Sequence, residues 1–505
     1  DLTLSKSLDV SSMLAGKVAG LQLAGSPSSS FDNADIIVRG VNGLKPSFPL
    51  YVVDGTPTDQ ANVIMDNGES ISVLKGAAAT ALYGNRAANG VVMITSKKGK
   101  RNAAPTVELN LASTFENLYL IPPYQNEYAG GYASSANSPG TKFDSEGFEI
   151  FRYNPTRHPA EWAAFDGQRM LEYGADESWG PKINGQEYRP YYSWYPGADF
   201  GKTERLTAHP DNTRDFFRTG LNLNNSIAMS GGGDSYNYRL MYANQNRNLV
   251  YPGSNRDQHQ VGLSSSYDFN KRLTVMTDIA YTTNKTRGKP FEKTRNYDGL
   301  SLFMNMNQWF QRQLDVKRLR NYRNPDGSFQ TWNIGNPNSS SNPDVYLKPQ
   351  YWDSPYFIVN EAFNTERTNR LIGNLGFNYK ISNVFSLNAY ARMNTIQGQG
   401  DFRRSTGGVQ IDEYYVNYAK TSELNYETNL NFKKGFGDFS LDGFVGGNIR
   451  KNKYEFLENG TQGGLIFPDY FAVSASTLRP RIVEDYNAKE VRSLYGRASL
   501  GYKGF

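Results

Sequence analysis

"VLKGAAATALYGNRAANGVVMITSKKGK", Val73 to Lys100, opens like a strand, passes through a run of small residues and returns to a β-branched strand. Alanines from Ala77 onward sit at helical density, and Gly84 closes them as a C-cap residue would. The small side chains between Lys75 and Gly90 predict a helix and a strand packed closely in a compact unit. Val91-Val92-Met93-Ile94-Thr95 predicts the strand, and the basic exit Lys97, Lys98, Lys100 and Arg101 reads as a solvated segment. Upstream, "SSMLAGKVAGLQLAG" reads as a short helix or helix-to-strand passage through Leu14, Val18 and Leu21. "ADIIVRGV", "PLYVVDGTP" and "ESISVLKG" read as further short strands with glycine turns. Residues 1–101 thus form a small α/β domain.

The rest of the chain has a different grammar. Only 38% of the 505 residues are apolar, while aromatics reach 13%, with 34 Tyr and 28 Phe. Abundant Tyr, Asn, Gly and Ser with few helix formers indicates β-structure with long polar loops. A net charge of +5 gives little basis for nucleic-acid binding. The absence of cysteine excludes disulfides, thiolate metal sites and cysteine nucleophiles. The three histidines, His158, His209 and His259, lie at no metal-ligand spacing and read as surface or loop residues. No apolar run is long enough for a membrane-spanning helix, which leaves a β-barrel open because its strands are only half apolar. Asp1 carries no visible signal peptide, so the chain reads as a mature or truncated form.

From about residue 105 the apolar period is two. In "KRLTVMTDIAY", Leu273, Val275, Thr277, Ile279 and Tyr281 share one face, and Asp278 lies on the other. "VFSLNAYARMN" opposes Phe385, Leu387, Ala389, Ala391 and Met393 to a polar face that includes Arg392. "FSLDGFVGGNIR" and "SLYGRASLGYK" alternate in the same way. About ten strands follow, near 106–117, 222–232, 236–246, 257–268, 271–285, 369–381, 384–398, 421–433, 439–451 and 488–503. Tight joints at Gly233-Asp234-Ser235, Phe269-Asn270, Ser382-Asn383 and Gly435-Phe436-Gly437 alternate with long ones. A soluble sandwich also alternates apolar and polar residues. Long strands joined by short turns at one end and long loops at the other favour an outer-membrane barrel. Ten strands close too narrow a lumen for a folded domain of about 100 residues, whereas about 22 would hold it.

Residues 1–101 resemble the plug of TonB-dependent outer-membrane transporters, in particular the SusC-like (SusC/RagA) branch of Bacteroidota. The resemblance rests on "LAGKVAGLQL" (14–23), "IIVRGVNGL" (36–44), "PLYVVDGTP" (49–57) and "ISVLKGAAATALYGNRAANGVVMITSKKG" (71–99), with softer echoes in "ESWGPKINGQEY", "FFRTGLNLNNSIAMSGG" and "YNYRLMY". It implies a membrane all-β fold: a 22-stranded antiparallel transmembrane β-barrel with the α/β plug inside its lumen. Residues 102–505 would be the first part of that barrel, with long extracellular loops. The plug motif maps onto Arg39, Gly40, Asp54, Gly55, Lys75, Gly76, Tyr83, Gly84, Arg86 and Gly90. Gly40, Gly55, Gly76 and Gly84 would serve turns, and Arg39, Lys75 and Arg86 would pair with wall carboxylates or face trapped water. Three departures stand out. No TonB box or regulatory domain precedes Asp1, the approach to "ESISVLKG" around Asn67-Gly68 is short, and the chain stops where the family continues its barrel.

No enzyme is expected and no cofactor. "SGGGD" (230–234) lacks the Lys-Ser/Thr of a phosphate-binding loop, and no acidic pair is positioned for acid–base work. The resemblance implies TonB-dependent import of an oligosaccharide or oligopeptide. Its partners would be a SusD-like surface lipoprotein lid, the TonB–ExbB–ExbD complex and outer-membrane lipid, with a dimer of importer–lid pairs as the assembly and no nucleic acid. The alternative is a SusC-like barrel serving as a structural subunit of a larger outer-membrane assembly. Trp162, Trp179, Trp194, Trp309, Trp332 and Trp352 fall in two long loops, where they either contact ligand or partner or pack the loops together.

Overall fold

The computed structural model describes residues 14, 16–24, 31, 35–38, 40, 48–58, 67–75, 83–132, 142–290, 301–338 and 346–503. Near the N-terminus, β1 (Leu21–Ala24) and β2 (Asp35–Val38) pair antiparallel. Strands β3 (Leu50–Val53), β4 (Thr56–Thr58), β5 (Gly68–Leu74) and β6 (Val91–Ser96) form a sheet in the order β4-β3-β6-β5, with β3 and β6 parallel. Asp54 and Gly55 join β3 to β4, both at positive φ (47° and 80°). A two-residue Asp-Gly loop of this kind matches the twist of the strands it connects. Leu14, Leu21, Ile36, Val38, Tyr51, Val92 and Ile94 make one core cluster, and Leu50, Val52, Ala87 and Val91 make another. Gly90 is obligatory between them. Its φ is +95°, and a Cβ there would stand 3.0 Å from the Leu74 carbonyl and 3.4 Å from Val38. The expected helix over 77–83 lies outside the described residues apart from Tyr83, after which Gly84–Ala87 tightens into a 3-10 turn.

The second sheet has ten strands. After β7 (Ala103–Glu116) the chain makes the two-residue strands β8 (Glu149–Ile150), β9 (Arg169–Met170), β10 (Glu187–Tyr188) and β11 (Glu204–Arg205) within a long loop. It then forms β12 (Gly220–Gly232), β13 (Tyr236–Asn248), β14 (Asn255–Asp268), β15 (Leu273–Arg287), β16 (Ala362–Lys380), β17 (Phe385–Arg404), β18 (Glu413–Phe436), β19 (Phe439–Gly460) and β20 (Arg481–Tyr502). The sheet runs in sequence order from β7 to β20, every neighbour antiparallel.

Every expected long strand is present, with its tight-turn end within about three residues of the expected place. The loop ends run further than the apolar pattern does. β18 begins at Glu413 rather than near 421, β19 continues to Gly460 rather than 451, and β20 begins at Arg481 rather than 488. On β18 the outward Tyr414, Val416 and Tyr418 alternate with an inward Tyr415, and on β19 and β20 outward Leu457, Ile482 and Tyr486 are interrupted by Glu455, Asn459 and Glu484, so the period-two signal blurs while the backbone ladder persists.

One face of the sheet is an apolar band. Val107, Leu109 and Leu111 are 68%, 63% and 65% exposed. Cross-strand register extends the Leu109 level through Ile227, Tyr242, Val261, Tyr281 and Leu371. A contiguous apolar surface of this size suits lipid rather than water. The neighbouring inward row is Asn110, Ser226, Ala243, Gln260, Thr282 and Arg370. This parity predicts an asymmetric response to charge. In lipid vesicles, Leu375→Arg, mid-band on β16, should cost about 2–4 kcal/mol of stability. Asn378→Arg, on the inward face of the same strand, should cost far less in the same denaturant titration.

Candidate functional site

The plug-like domain meets the inner wall of the ten-stranded sheet, and this interface is the principal candidate site. It is built first by the segment leaving β6. Lys97 Nζ lies 2.7 Å from Glu108 on β7, whose other oxygen takes Arg239 of β13 at 2.9 Å. Arg239 also donates to Asn67 beside β5 at 3.0 Å. Lys98 lies 3.1 Å from Asp278 on β15, and Asp278 accepts the Ser264 hydroxyl at 2.6 Å. Arg101 pairs with Asp268 on β14. Gly99 passes so close to β13 that any side chain there would collide with the Tyr238 backbone. The basic exit is therefore a set of ties to three wall strands. The expectation of a solvated run holds in part: Lys98 and Lys100 are exposed, although Lys98 is also tied to Asp278. A cluster of like charges looks solvated in sequence because its partners lie far along the chain.

A second set of contacts lies at the β3–β4 hairpin and the turn after Tyr83. Thr58 accepts Arg370 of β16, and Asn374 reaches the Asp54 carbonyl at 3.5 Å. The Arg392 guanidinium lies 3.7 Å from where a Gly55 Cβ would stand, and pairs with Glu427 at 2.5 Å. Arg86 meets Glu423 of β18 at 3.0 Å, and Asn452 holds the other Glu423 oxygen at 2.7 Å. Burial raises Asp54 above the ordinary carboxylate range, opposed by the Ser96 hydrogen bonds. Burial also raises the Tyr83 phenol, with Arg392 pulling the other way.

Of the plug-motif residues, Arg86 meets a wall carboxylate, and Asp54 and Gly55 abut wall polar groups. Lys75 departs from the expectation and donates to the Ala19 carbonyl within the domain, because β5 ends beside the β1 approach rather than at the wall. Gly40 and Gly84 take positive φ, as turn glycines do. Arg39 and Gly76 lie outside the described residues. Sequence reasoning missed Glu108, Asp268, Asp278, Glu423, Arg370 and Gly99. The period-two pattern had already put Asp278 and Arg392 on polar faces, but it could not say what they would meet.

The described residues of the loops 117–219 and 288–361 fold together around one aromatic core. Trp162, Trp194, Trp332 and Trp352 are buried there, Trp309 stacks on Trp352 at 6.4 Å, and Trp179 is 54% exposed beside Tyr128. Polar links join the two loops. Asn336 and Asn338 donate to the buried Glu149 at 2.6 and 2.9 Å, Trp352 to Asp176 at 2.9 Å, and the His158 ring meets the Pro337 carbonyl at 3.0 Å. His158 is thus a buried loop residue, while His259 sits on β14 beside Asp257 at 3.0 Å. Among the described residues no group of three or more metal-ligating side chains converges.

Two predictions follow from these contacts. Arg86–Glu423 is half-buried, so removing one partner should cost about 1–3 kcal/mol of plug retention. Glu423→Lys is expected to loosen the N-terminal domain from the wall, read as faster hydrogen exchange at the amides of 86–90, and Arg86→Glu combined with Glu423→Arg to restore protection. The second concerns Asp353, which accepts the Val409 N–H at 2.8 Å and which burial pushes up to about 7. An unfolded aspartate titrates near ~4. The folded loop therefore keeps a proton that the unfolded chain releases between those values. This contribution to stability is complete below ~4 and is lost as pH rises through about 7. The protection of the amides over 405–412, taken relative to the base-catalysed rate of an unstructured chain, should fall from pH 5 to pH 8, and Asp353→Asn should flatten that fall.

Residues 1–91 match the family model of the TonB-dependent Receptor Plug Domain. The chain is 24% identical over 492 residues to the TonB-dependent receptor SusC of Bacteroides thetaiotaomicron, covering 91% of this chain and 40% of that protein. It is 21% identical to the TonB-dependent receptor P3 of Formosa agariphila, over 99% of this chain and 42% of that protein. The chain spans about two fifths of the length of these curated relatives. A solved structure of the RagAB peptide importer in the "open-open" state superposes with a TM-score of 0.70 at 19% identity, over 98% of this chain and 51% of that one.

Proposed function

We propose that this chain, which belongs to the TonB-dependent receptors of the SusC/RagA kind and to the Gram-negative outer membrane, contributes the plug and ten wall strands of an energised importer. In this reading residues 1–101 are the plug and 102–505 the wall with its extracellular loops. The outer edges of β7 and β20 cannot stand unpaired in hydrocarbon, where each free backbone group is costly. Further strands would close the sheet to about 22, wide enough to hold the plug. The observation that carries the reading is the plug–wall interface. Many partly exposed ion pairs and hydrogen bonds hold the domain, each worth about 1 kcal/mol or less. Such contacts keep a plug seated at rest and let it yield step by step to a pull.

The ligand is an oligosaccharide or oligopeptide captured above the plug, beneath a SusD-like lipoprotein lid. TonB, with ExbB and ExbD, supplies the pull from the periplasmic side. The fused loops at the opposite end give the lid a rigid seat. The chain's role is transport without covalent chemistry. Loss of TonB should abolish uptake of the radiolabelled ligand and leave surface binding intact. Unchanged uptake without TonB would rule the reading out. Copurification of one SusD-like lipoprotein in equal amount supports an importer, whereas a set of unrelated envelope proteins would support the structural-subunit alternative.

A further inference from the structure

On the outward face of β15 and β16 the apolar band ends at the level of Tyr281 and Leu371, and Thr283 and Asn369 follow. Further towards the loops, about 13 Å along the strands from that level, Lys285 stands directly opposite Arg367. Both residues are exposed, and neither has a hydrogen bond or ion pair among the described residues. Like charges opposite one another destabilise a sheet, and an anion between them reverses the sign. Beside them lies a groove of about 530 Å³, bordered by Lys285, Arg367, Gln399, Asp401, Tyr414 and Tyr418. All six carry the outward parity of the lipid-facing band. The carboxylates around the two cations are engaged elsewhere. Asp401 pairs with Arg403 at 2.7 Å and accepts the Thr365 hydroxyl. Asp257, opposite Lys285 on β14, meets His259 and Asn244 at 3.0 Å each. Glu366 borders the groove with inward parity and accepts the Thr368 hydroxyl at 3.2 Å. Lys420 of β18 adds an outward cation one step nearer the band, opposite Glu455, which Lys453 holds at 3.2 Å. At the same levels β12 and β13 carry Leu223, Asn225, Asn244 and Asn246, so the positive charge is local to one sector of the wall.

We propose that this groove holds one phosphate-bearing lipid of the leaflet on the loop side, its phosphate set between Lys285 and Arg367 and its acyl chains lying on the apolar band below. The guanidinium offers a phosphate two parallel N–H donors, and the ammonium adds a compact charge. A basic pocket at headgroup depth beside a lipid-facing surface is the arrangement that fixes an anionic lipid. Tyr414 and Tyr418 place amphipathic rings at the same depth, where such rings meet headgroups. A soluble anion would use the two cations but leave the adjoining apolar surface idle. The site rests on the parity of the wall and not on what the protein carries, so it stands whether or not transport needs TonB.

The test is native mass spectrometry of the protein purified from outer membranes in detergent and stripped of lipid. It is titrated with diphosphoryl lipid A, with the same lipid freed of phosphate, and with inorganic phosphate. Diphosphoryl lipid A should bind, and loss of its phosphates should weaken binding about tenfold. Lys285→Gln and Arg367→Gln should each weaken it about fivefold, and the two together about twentyfold, with the melting temperature unchanged. Gln399→Glu, which sets a carboxylate opposite Arg367, should weaken binding without removing a cation. Lys271→Gln combined with Arg272→Gln, at the tight-turn end of β15, should leave it as in the parent. The proposal is overturned if the dephosphorylated lipid binds as tightly, if the Lys285→Gln, Arg367→Gln protein binds as the parent does, or if the Lys271→Gln, Arg272→Gln protein loses as much affinity. Inorganic phosphate that displaces lipid A at equal concentration would also overturn it, and would make the groove a site for a soluble anion.

Discussion

A backbone crossing hydrocarbon must satisfy every N–H and C=O without help from water. That constraint accounts for most of what this chain looks like. It explains strands of up to 24 residues, all antiparallel and all hydrogen-bonded to sequential neighbours. It also explains why irregular backbone is confined to the two ends, with brief turns at one and a folded globule at the other. Side chains answer to the same boundary. The outward face is apolar because it meets lipid, and the inward face is polar because it meets the plug and water.

The inward face shows how a plug is retained without being welded. No large apolar patch joins it to the wall at the exit from β6. Contact there is made by cations of one segment and carboxylates spread over β7, β14 and β15. Each contact is weak in a hydrated setting, and several must break before the segment leaves. Buried amide oxygens on the wall, such as those of Asn222, Asn224 and Asn284, have no protein partner among the described residues. Polar groups in that position are ordinarily met by water. A wetted interface lowers the cost of separating the two surfaces.

How much of this was legible in the sequence depended on the range of the interaction. Strand positions follow from alternation within one strand, and the tight turns from a few local residues, so both could be read. The glycine turn that ends β3 at Gly55 was visible for the same reason, though not the strand that follows it. The ends of β18, β19 and β20 were not, because there apolar, charged and amide residues mix on both faces and only the backbone ladder marks the strand. Pairs such as Arg86–Glu423 join residues 337 positions apart, and no local pattern encodes them. Lys75 was expected to meet a wall carboxylate or trapped water, but it donates to the Ala19 carbonyl within its own domain. The tryptophans were visible as unusual loop residues. Only the fold showed that Trp162, Trp194, Trp332 and Trp352 are interior to a core built from two distant loops.

The parallel pairing of β3 with β6 has a mechanical consequence. β6 runs directly into the segment tied to the wall, and β3 is reached from the N-terminal side. A tension applied on that side and resisted beyond β6 loads the two parallel strands at opposite ends. Their hydrogen bonds then share the strain side by side rather than opening one after another. The sheet at the centre of the plug resists as a block, and the small β1–β2 hairpin, which lies outside that sheet, is the part placed to deform first.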